Sequence, residues 1–188
     1  MPHSLLAKVG FISVDVKNSQ LLRGRLGDER ATRLMHELID KICRHLAERF
    51  SAYTFHRADD GIIVAGFTRT NLAPAARAVL AVQDKVNLSH GHRRNNGGIQ
   101  TRVAGHFGWT EIKMGRGRPD FLGRTVGKVD RLQKKANGAP LITKESVSRT
   151  ALRKLLPGVR VELVQVHLKG FGKVEAYKLI REEAVDNY

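Results

Sequence analysis

The sequence has few features that would cross-link the chain or hold it in a membrane. It contains a single cysteine, Cys43, so no disulfide can form within the chain. A lone cysteine inside a helical pattern is typical of a structural thiol in a reducing compartment, and we therefore expect a cytoplasmic protein. The apolar stretches of MPHSLLAKVGFISVDV are too short and too broken for a signal sequence, and no stretch reaches the length of a membrane span. We expect no stable membrane association.

Acidic and aromatic residues are also scarce. Lys and Arg number 33 against 18 Asp and Glu, which gives a net charge of +15, and only 6% of the residues are aromatic. A surface this positive attracts a polyanion, such as nucleic acid, an acidic membrane or a phosphorylated small molecule. An RNA-recognition domain would also need paired aromatic residues on its strands, and no predicted strand carries such a pair. RNA binding therefore stays the alternative function rather than the preferred one.

Hydrophobic residues are present in ordinary amount, and their spacing predicts an α+β sheet domain with helices largely on one face. They make up 41% of the 188 residues, enough for one domain spanning 1–188. The helices are predicted to start near Lys17 and to cover Asp28–Phe50 and about 72–86, 123–136 and 144–155. The strands are predicted in AKVGFISVDV, SAYTFHR, GIIVAGF, IQTRVAGHFGWTEI, a short run near Leu141, VRVELVQVHL and VEAYKL. The basic segments LSHGHRRNNGG and KMGRGRPD are predicted to be loops.

Two carboxylates are predicted to meet at one edge of this sheet. Asp15 ends the first strand, and Asp60 lies in the ADDG turn of a hairpin that should pair beside it. Paired carboxylates suit Mg²⁺ or Mn²⁺, which leave coordination positions for water and substrate phosphates. An Asp in a turn also serves the turn itself, and we prefer this explanation for Asp59. Backbone amides at Lys17, Asn18 and Ser19 could bind phosphate oxygens next to the metal.

Five segments together resemble the catalytic domain of class III nucleotide cyclases. VDVKNS resembles the first metal motif, and HRADDGII is similar to the second. TRVAGHFG resembles the Arg-aliphatic-Gly-Ile-His-x-Gly strand, DFLGRTVGKVDRL the Asp-x-x-Gly-x-x-Val-Asn-x-Ala-x-Arg-Leu helix, and VHLKGFGKVEAYKL the closing Leu-Lys-Gly hairpin. The five segments occur in the family's order and cover about 8–180.

The resemblance implies a ferredoxin-like βαββαβ core with extra strands and helices, acting as a head-to-tail homodimer with two sites between the chains. Each site would bind two Mg²⁺ or Mn²⁺ ions and a nucleoside triphosphate. The implied metal ligands are Asp15, Asp60 and the Val16 carbonyl, with Arg102 of the same chain on the triphosphate. The residues implied to come from the other chain are Lys169 on the triphosphate, Arg131 at the transition state, and His56 and Asp120 at the base.

The sequence also departs from the family pattern. Gly127 stands where the family has a transition-state Asn, Asp59 stands where it has a Gly, and His56 replaces a base-reading Lys. An inactive member of the family would carry such changes too. Both metal aspartates remain, as do Arg131 and Lys169, and on that ground we expect an active enzyme.

The histidine at position 56 bears on the substrate. Lysine and aspartate together suit adenine, whereas a neutral histidine with Asp120 satisfies uracil, and His56 with Arg57 fills the space that a purine would occupy. A short cyclase domain with this change resembles the pyrimidine cyclases of bacterial Pycsar anti-phage systems. The resemblance implies a cyclase that makes cyclic UMP or cyclic CMP, read by a separate effector, and we expect UTP to be the substrate. Adenylate or guanylate cyclase and a pseudo-cyclase are the alternatives.

Taken singly, these residues also have ordinary explanations. Arg102 and Arg131 could be solvated charges, Lys169 a turn residue and His56 a structural histidine. Asp120 could cap the helix that begins near Gly123. Only their joint order along the chain favours the functional assignment.

Overall fold

The computed structural model describes residues 4–91, 98–115 and 118–181. Its helices are α1 (Ser19–Leu26), α2 (Asp28–Phe50), α3 (Leu72–Ser89), α4 (Arg124–Gln133) and α5 (Arg149–Leu155). Its strands are β1 (Ser4–Val16), β2 (Tyr53–Arg57), β3 (Gly61–Phe67), β4 (Thr101–Gly115), β5 (Arg118–Leu122), β6 (Leu141–Thr143), β7 (Val159–Leu168) and β8 (Gly172–Arg181), and a 3₁₀ turn covers Lys144–Ser146. No helix among these residues is long and apolar enough to cross a membrane.

All the described strands join one sheet in the order β2-β3-β1-β4-β6-β8-β7, with β5 paired to β4 beside this path. Neighbouring strands among the first four pair in antiparallel fashion, and these strands alternate with helices as β1-α-β2-β3-α3-β4. This is the ferredoxin-like βαββαβ core, so the predicted α+β fold is confirmed. The β6, β7 and β8 strands extend the core, and β6 runs parallel to β4.

The sheet has a hydrophobic cluster on each face. Side chains alternate along β1, so Ile12 and Val14 pack with α2 and α3, whereas Phe11 packs on the opposite face with α4. The prediction of helices largely on one face holds for α1, α2, α3 and α5. Helix α4 covers the other face. The odd-numbered side chains of β1, including Asp15, therefore lie on the α4 side of the sheet.

The basic segment 113–120 was predicted to be a loop, and this prediction was wrong. Strand β4 continues to Gly115, β5 begins at Arg118, and the two form an antiparallel hairpin. Its Gly, Pro and Arg residues signal a turn locally, but the antiparallel pairing of β4 with β5, from Glu111 opposite Leu122 to Gly115 opposite Arg118, holds both strands extended. The other basic segment falls partly outside the described residues, at 92–97, and α3 extends into its start as far as Ser89. The predicted helix at 144–155 is a 3₁₀ turn followed by α5.

A buried polar cluster joins β4 to β6 and the 3₁₀ turn. The Nδ1 atom of His106 lies 2.7 Å from the Thr143 hydroxyl and 3.3 Å from that of Ser146. Burial, together with the nearby Lys128 ammonium, lowers the pKa of His106 from 6.5 to about 4, although Glu145 acts in the opposite direction. His106 is therefore neutral at pH 7 and serves as a structural hydrogen-bonding group.

We expect His106 to make the protein sensitive to mild acid. In the unfolded chain it takes up a proton near pH 6.5 and in the folded chain only near pH 4, so stability falls as the pH drops through this window. The loss should approach about 3 kcal/mol. His106→Gln keeps a hydrogen-bonding side chain without the titration. Urea unfolding at pH 7 and pH 4 should show a larger loss for the wild type, and equal losses would contradict this role.

Candidate functional site

Strand pairing brings Asp15, Asp60 and Arg102 to one end of the sheet. In β1, Asp15 lies opposite Gly61 of β3 on one side and opposite Arg102 of β4 on the other. The backbone amide of Val16 donates to the Asp60 carbonyl at 2.7 Å, which ties the β2–β3 turn to the end of β1. The predicted meeting of a strand end and a hairpin turn is therefore observed.

The Asp15 carboxylate lies in an electrostatically unfavourable place. Partial burial raises its pKa, and so does the negative charge of Asp60. Opposing contributions come from Arg102, whose Nε lies 3.7 Å from Oδ2, and from the Gln133 side chain of α4, whose Nε2 donates to the same oxygen at 3.2 Å. Two carboxylates that repel each other at a half-buried position form a site that a divalent cation would stabilise.

The turn after β1 supports the second carboxylate. Asn18 adopts a left-handed conformation with φ 55°, and the Ser19 hydroxyl donates to Asp60 Oδ2 at 2.8 Å. The amide of Lys17 donates to the Gln100 carbonyl at 2.7 Å, so the prediction of three phosphate-binding turn amides was wrong for Lys17. Phosphate binding by the backbone amides of Asn18 and Ser19 stays a prediction.

The residues present suit a hard cation with few protein ligands. Within 4–91, 98–115 and 118–181, no three His, Cys, Asp or Glu side chains gather into a metal-binding group. Asp15 and Asp60 instead form a pair of carboxylates with a serine hydroxyl beside them. A two-carboxylate set is typical of Mg²⁺ and Mn²⁺ sites that take further oxygens from substrate phosphates and water. The donor set therefore fits the predicted ions.

A cleft of about 610 Å³ opens in front of these carboxylates. One wall is the end of β1 with the β2–β3 hairpin, and the other is α4. Residues of α4 and the residue that follows it line the cleft at helical spacing: Val126, Gly127, Asp130, Gln133 and Lys134. A Cβ atom at Gly127 would meet only Phe171 Cζ, at 3.9 Å, so packing does not require glycine where the resembling family has Asn.

Arg131 and Lys169 lie outside this cleft in the same chain. The guanidinium of Arg131 donates to the Lys169 carbonyl and lies 5.2 Å from the centre of the Phe171 ring. Gly170, with φ 77°, permits this contact because a Cβ there would lie 2.8 Å from Arg131 Nη1. Arg131 and Lys169 are thus neighbouring exposed residues, in contact through the Lys169 backbone, and neither is among the described residues that line the cleft of Asp15 and Asp60.

The three residues predicted at the base are placed differently from one another. His56 is exposed and lines the cleft beside Asp15 and Asp60 of its own chain, although the resemblance implied that it comes from the other chain. Arg57 instead pairs with Asp40 of α2 at 2.7 Å and is not among the described residues that line the cleft. Asp120 lies exposed on β5, and α4 begins without a side-chain cap, so Asp120 does not cap that helix. The rings of Phe55 and Phe121, the sequence neighbours of His56 and Asp120, contact each other at 5.3 Å, which brings β2 and β5 together.

Some residues of the site were not predicted from the sequence. Gln133 donates a hydrogen bond to Asp15, and Lys134 lowers the pKa of Asp15. Phe171 orients Arg131. Gln133 and Lys134 follow Val126 and Asp130 at helical spacing, which would have placed them on one face of α4. Which strand that face covers depends on the tertiary structure, and no local pattern indicates it.

Comparisons with known proteins show the fold. No protein-family model matches the chain, and no curated protein sequence matches it. The crystal structure of the adenylyl cyclase CyaB from P. aeruginosa matches with a TM-score of 0.75 at 17% identity, over 96% of this chain and 97% of that one. The guanylyl cyclase Cya2 matches with a TM-score of 0.70 at 14% identity, over 100% and 98% of the two chains.

A third match is a guanylate cyclase domain solved with its nucleotide. The domain of RhGC from Catenaria anguillulae, in complex with GTP, gives a TM-score of 0.67 at 15% identity over 94% of this chain and 97% of that chain. The present chain therefore has the α+β fold of adenylyl and guanylyl cyclase catalytic domains. At these identities the likeness concerns the fold, and the assignment of activity depends on the site.

Proposed function

We propose that the protein is a nucleotide cyclase that converts a nucleoside triphosphate into a 3′,5′-cyclic monophosphate and pyrophosphate. The observation that carries this proposal is the meeting of Asp15 and Asp60 at the end of β1, beside Arg102, on a cyclase fold. A carboxylate pair next to a cation is what binding a metal-chelated triphosphate requires.

The residues of the cleft have distinct tasks in this reaction. Asp15 and Asp60 would hold Mg²⁺ or Mn²⁺, with the Val16 carbonyl as a further ligand. Bound there, the metal would supply Lewis acidity that favours ionisation of the ribose 3′-hydroxyl and departure of pyrophosphate. Ser19 and Gln133 fix the orientation of the two carboxylates through the hydrogen bonds described above. Arg102 neutralises charge on the triphosphate, together with backbone groups at Asn18 and Ser19.

We further propose that a second copy of the chain completes each site in a head-to-tail dimer. The 3′-oxygen attacks the α-phosphorus while the bond to the bridging oxygen of pyrophosphate breaks, so negative charge develops on both sides of the phosphorus. Cations must lie at that position. Arg131 and Lys169 are available for this from the partner subunit because they share an exposed surface away from their own chain's aspartates.

The substrate we propose is UTP, which makes the product cyclic UMP. His56 lines the cleft and places an imidazole, rather than an ammonium group, at the position where the resembling cyclases use lysine. Such a product would act as a second messenger for a separate effector, as in anti-phage signalling. The direct test is incubation of the purified protein with each of the four nucleoside triphosphates and Mn²⁺, followed by separation of the products. Cyclic UMP is expected, and a product formed from ATP alone would contradict this specificity.

Exchanging the base-contacting residue should shift the substrate preference. In His56→Lys, the ammonium donates to adenine N1 and cannot offer the imidazole's acceptor nitrogen, so we expect kcat/KM for ATP to rise relative to UTP by roughly tenfold. The matched change Arg57→Ala alters the neighbouring residue, which pairs with α2. We expect that variant to keep the wild-type ratio; a shift with Arg57→Ala but not with His56→Lys would assign base recognition to Arg57.

A further inference from the structure

The open edge of β4 carries a second basic region, which shares only Phe171 with the residues assigned to the proposed reaction. Strand β4 pairs with β6 at Ala104 and Gly105 and with β5 only from Glu111 onward. Between these two pairings an opening of about 560 Å³ lies next to the start of α4. Three cations there are each held over an aromatic ring: Lys8 over Trp109, Arg69 over Phe107 and Arg124 over Phe171. We call these six residues the β4-edge surface.

The charge of this surface is almost entirely positive. Among the described residues that line the opening, Glu145 is the one carboxylate, and Lys128 pairs with it. Helix α4 begins here with Arg124 and carries no acidic residue in its first turn, so its amide dipoles add to the positive potential. The chain's net charge of +15 also exceeds what one triphosphate in the cleft would balance.

The cation–ring pairs prepare the surface for phosphate groups. The Lys8 ammonium lies 4.9 Å from the Trp109 ring centre, and the guanidiniums of Arg69 and Arg124 each lie 5.3 Å from their rings. A long cationic side chain that already rests on a ring loses less conformational entropy when it contacts a phosphate. The three charged groups are thus pre-positioned around one opening.

The aromatic side chains point to a ligand that has bases as well as phosphates. Trp109 is 57% exposed although it is the largest side chain of the chain. Trp109 is the exposed ring of the three, since Phe107 and Phe171 are half-buried. An exposed ring among cations is a feature with which proteins bind single strands, because a base stacks on the ring while phosphates contact the cations. We propose that the β4-edge surface binds single-stranded nucleic acid. A bilayer fits this opening less well, because a concave site at a strand edge presents no flat amphipathic face to lipid.

Phosphate contact and base stacking should respond differently to mutation and to salt, which makes the proposal testable. Anisotropy of a fluorescein-labelled poly(U) strand of about 20 nucleotides would be measured against protein concentration at several salt concentrations. Arg124→Ala removes one phosphate contact, so it should weaken binding and reduce the slope of log K against log salt by about 0.7. Trp109→Ala removes stacking, so it should weaken binding by roughly tenfold and leave that slope unchanged.

Matched variants separate this site from general attraction to a basic protein. Arg153→Ala removes an exposed arginine from α5, and Leu163→Ala removes an exposed apolar side chain from β7. Both should bind poly(U) like the wild type. The proposal is overturned if Arg153→Ala has the same effect as Arg124→Ala, if Trp109→Ala binds normally, or if vesicles containing phosphatidylserine bind through Trp109 while poly(U) does not.

Discussion

Replacing Asp15 by Asn should abolish cyclase activity and at the same time stabilise the folded protein. Activity should fall by at least about a hundredfold, because the charge that binds the metal is lost. Stability should rise because burial and Asp60 raise the pKa of Asp15, so its carboxylate is less favourable in the folded than in the unfolded chain at neutral pH. Asn retains an oxygen that can accept the Gln133 hydrogen bond.

The pH dependence of this gain has a definite sign. An acid whose folded pKa is raised destabilises the folded state above that pKa, and the penalty disappears once both states are protonated. The increase in melting temperature of Asp15→Asn over wild type should therefore be largest near pH 7 and vanish in acid. Asp59→Asn is the matched control, because Asp59 is the exposed neighbouring carboxylate in the same turn. It should keep activity, and an Asp15→Asn protein that is less stable than wild type would contradict the electrostatic argument.

Mixing two inactive variants should restore activity if each site is shared between chains. Asp60→Asn removes a metal ligand, and Arg131→Ala removes the cation that we assign to the partner subunit's site. A mixed dimer has one site with both changes and one site with neither. After equal amounts of the two variants are allowed to exchange subunits, activity should reach roughly a quarter of wild type.

The structure of one chain is the reason for this expectation. Arg131 binds the Lys169 carbonyl and the Phe171 ring on a surface apart from the cleft of Asp15 and Asp60. A mixture of Asp15→Asn with Asp60→Asn is the control, because both changes affect the same half of the site and no intact site can form. Recovery in the control, or no recovery in the first mixture despite exchange, would rule out the shared site.

Much of the candidate cleft could be predicted because the sequence signals of its strands and turns are local. Strand β1 ends at Val16, next to Asp15, and the Asp-Gly hairpin turn fixes how β2 and β3 pair. Once β1 pairs with β3, Asp60 must lie beside the end of β1. The β4–β5 hairpin was missed for the opposite reason: its local residues favour a loop, and only the pairing of β4 with β5 makes an extended strand favourable.

By itself, the sequence determined the helices and strands with strong periodicity, the two acids at strand ends, and a positive charge that calls for an anionic partner. The tertiary structure alone decided that α4 covers the second face of the sheet, that Gln133 reaches Asp15, and that Arg131 turns away toward Phe171. The physical reason is the range of the interactions. Periodicity and turn preferences act between neighbours in the chain, whereas the pairing of Asp15 with Gln133 joins positions far apart in sequence and exists only once the sheet and α4 have packed.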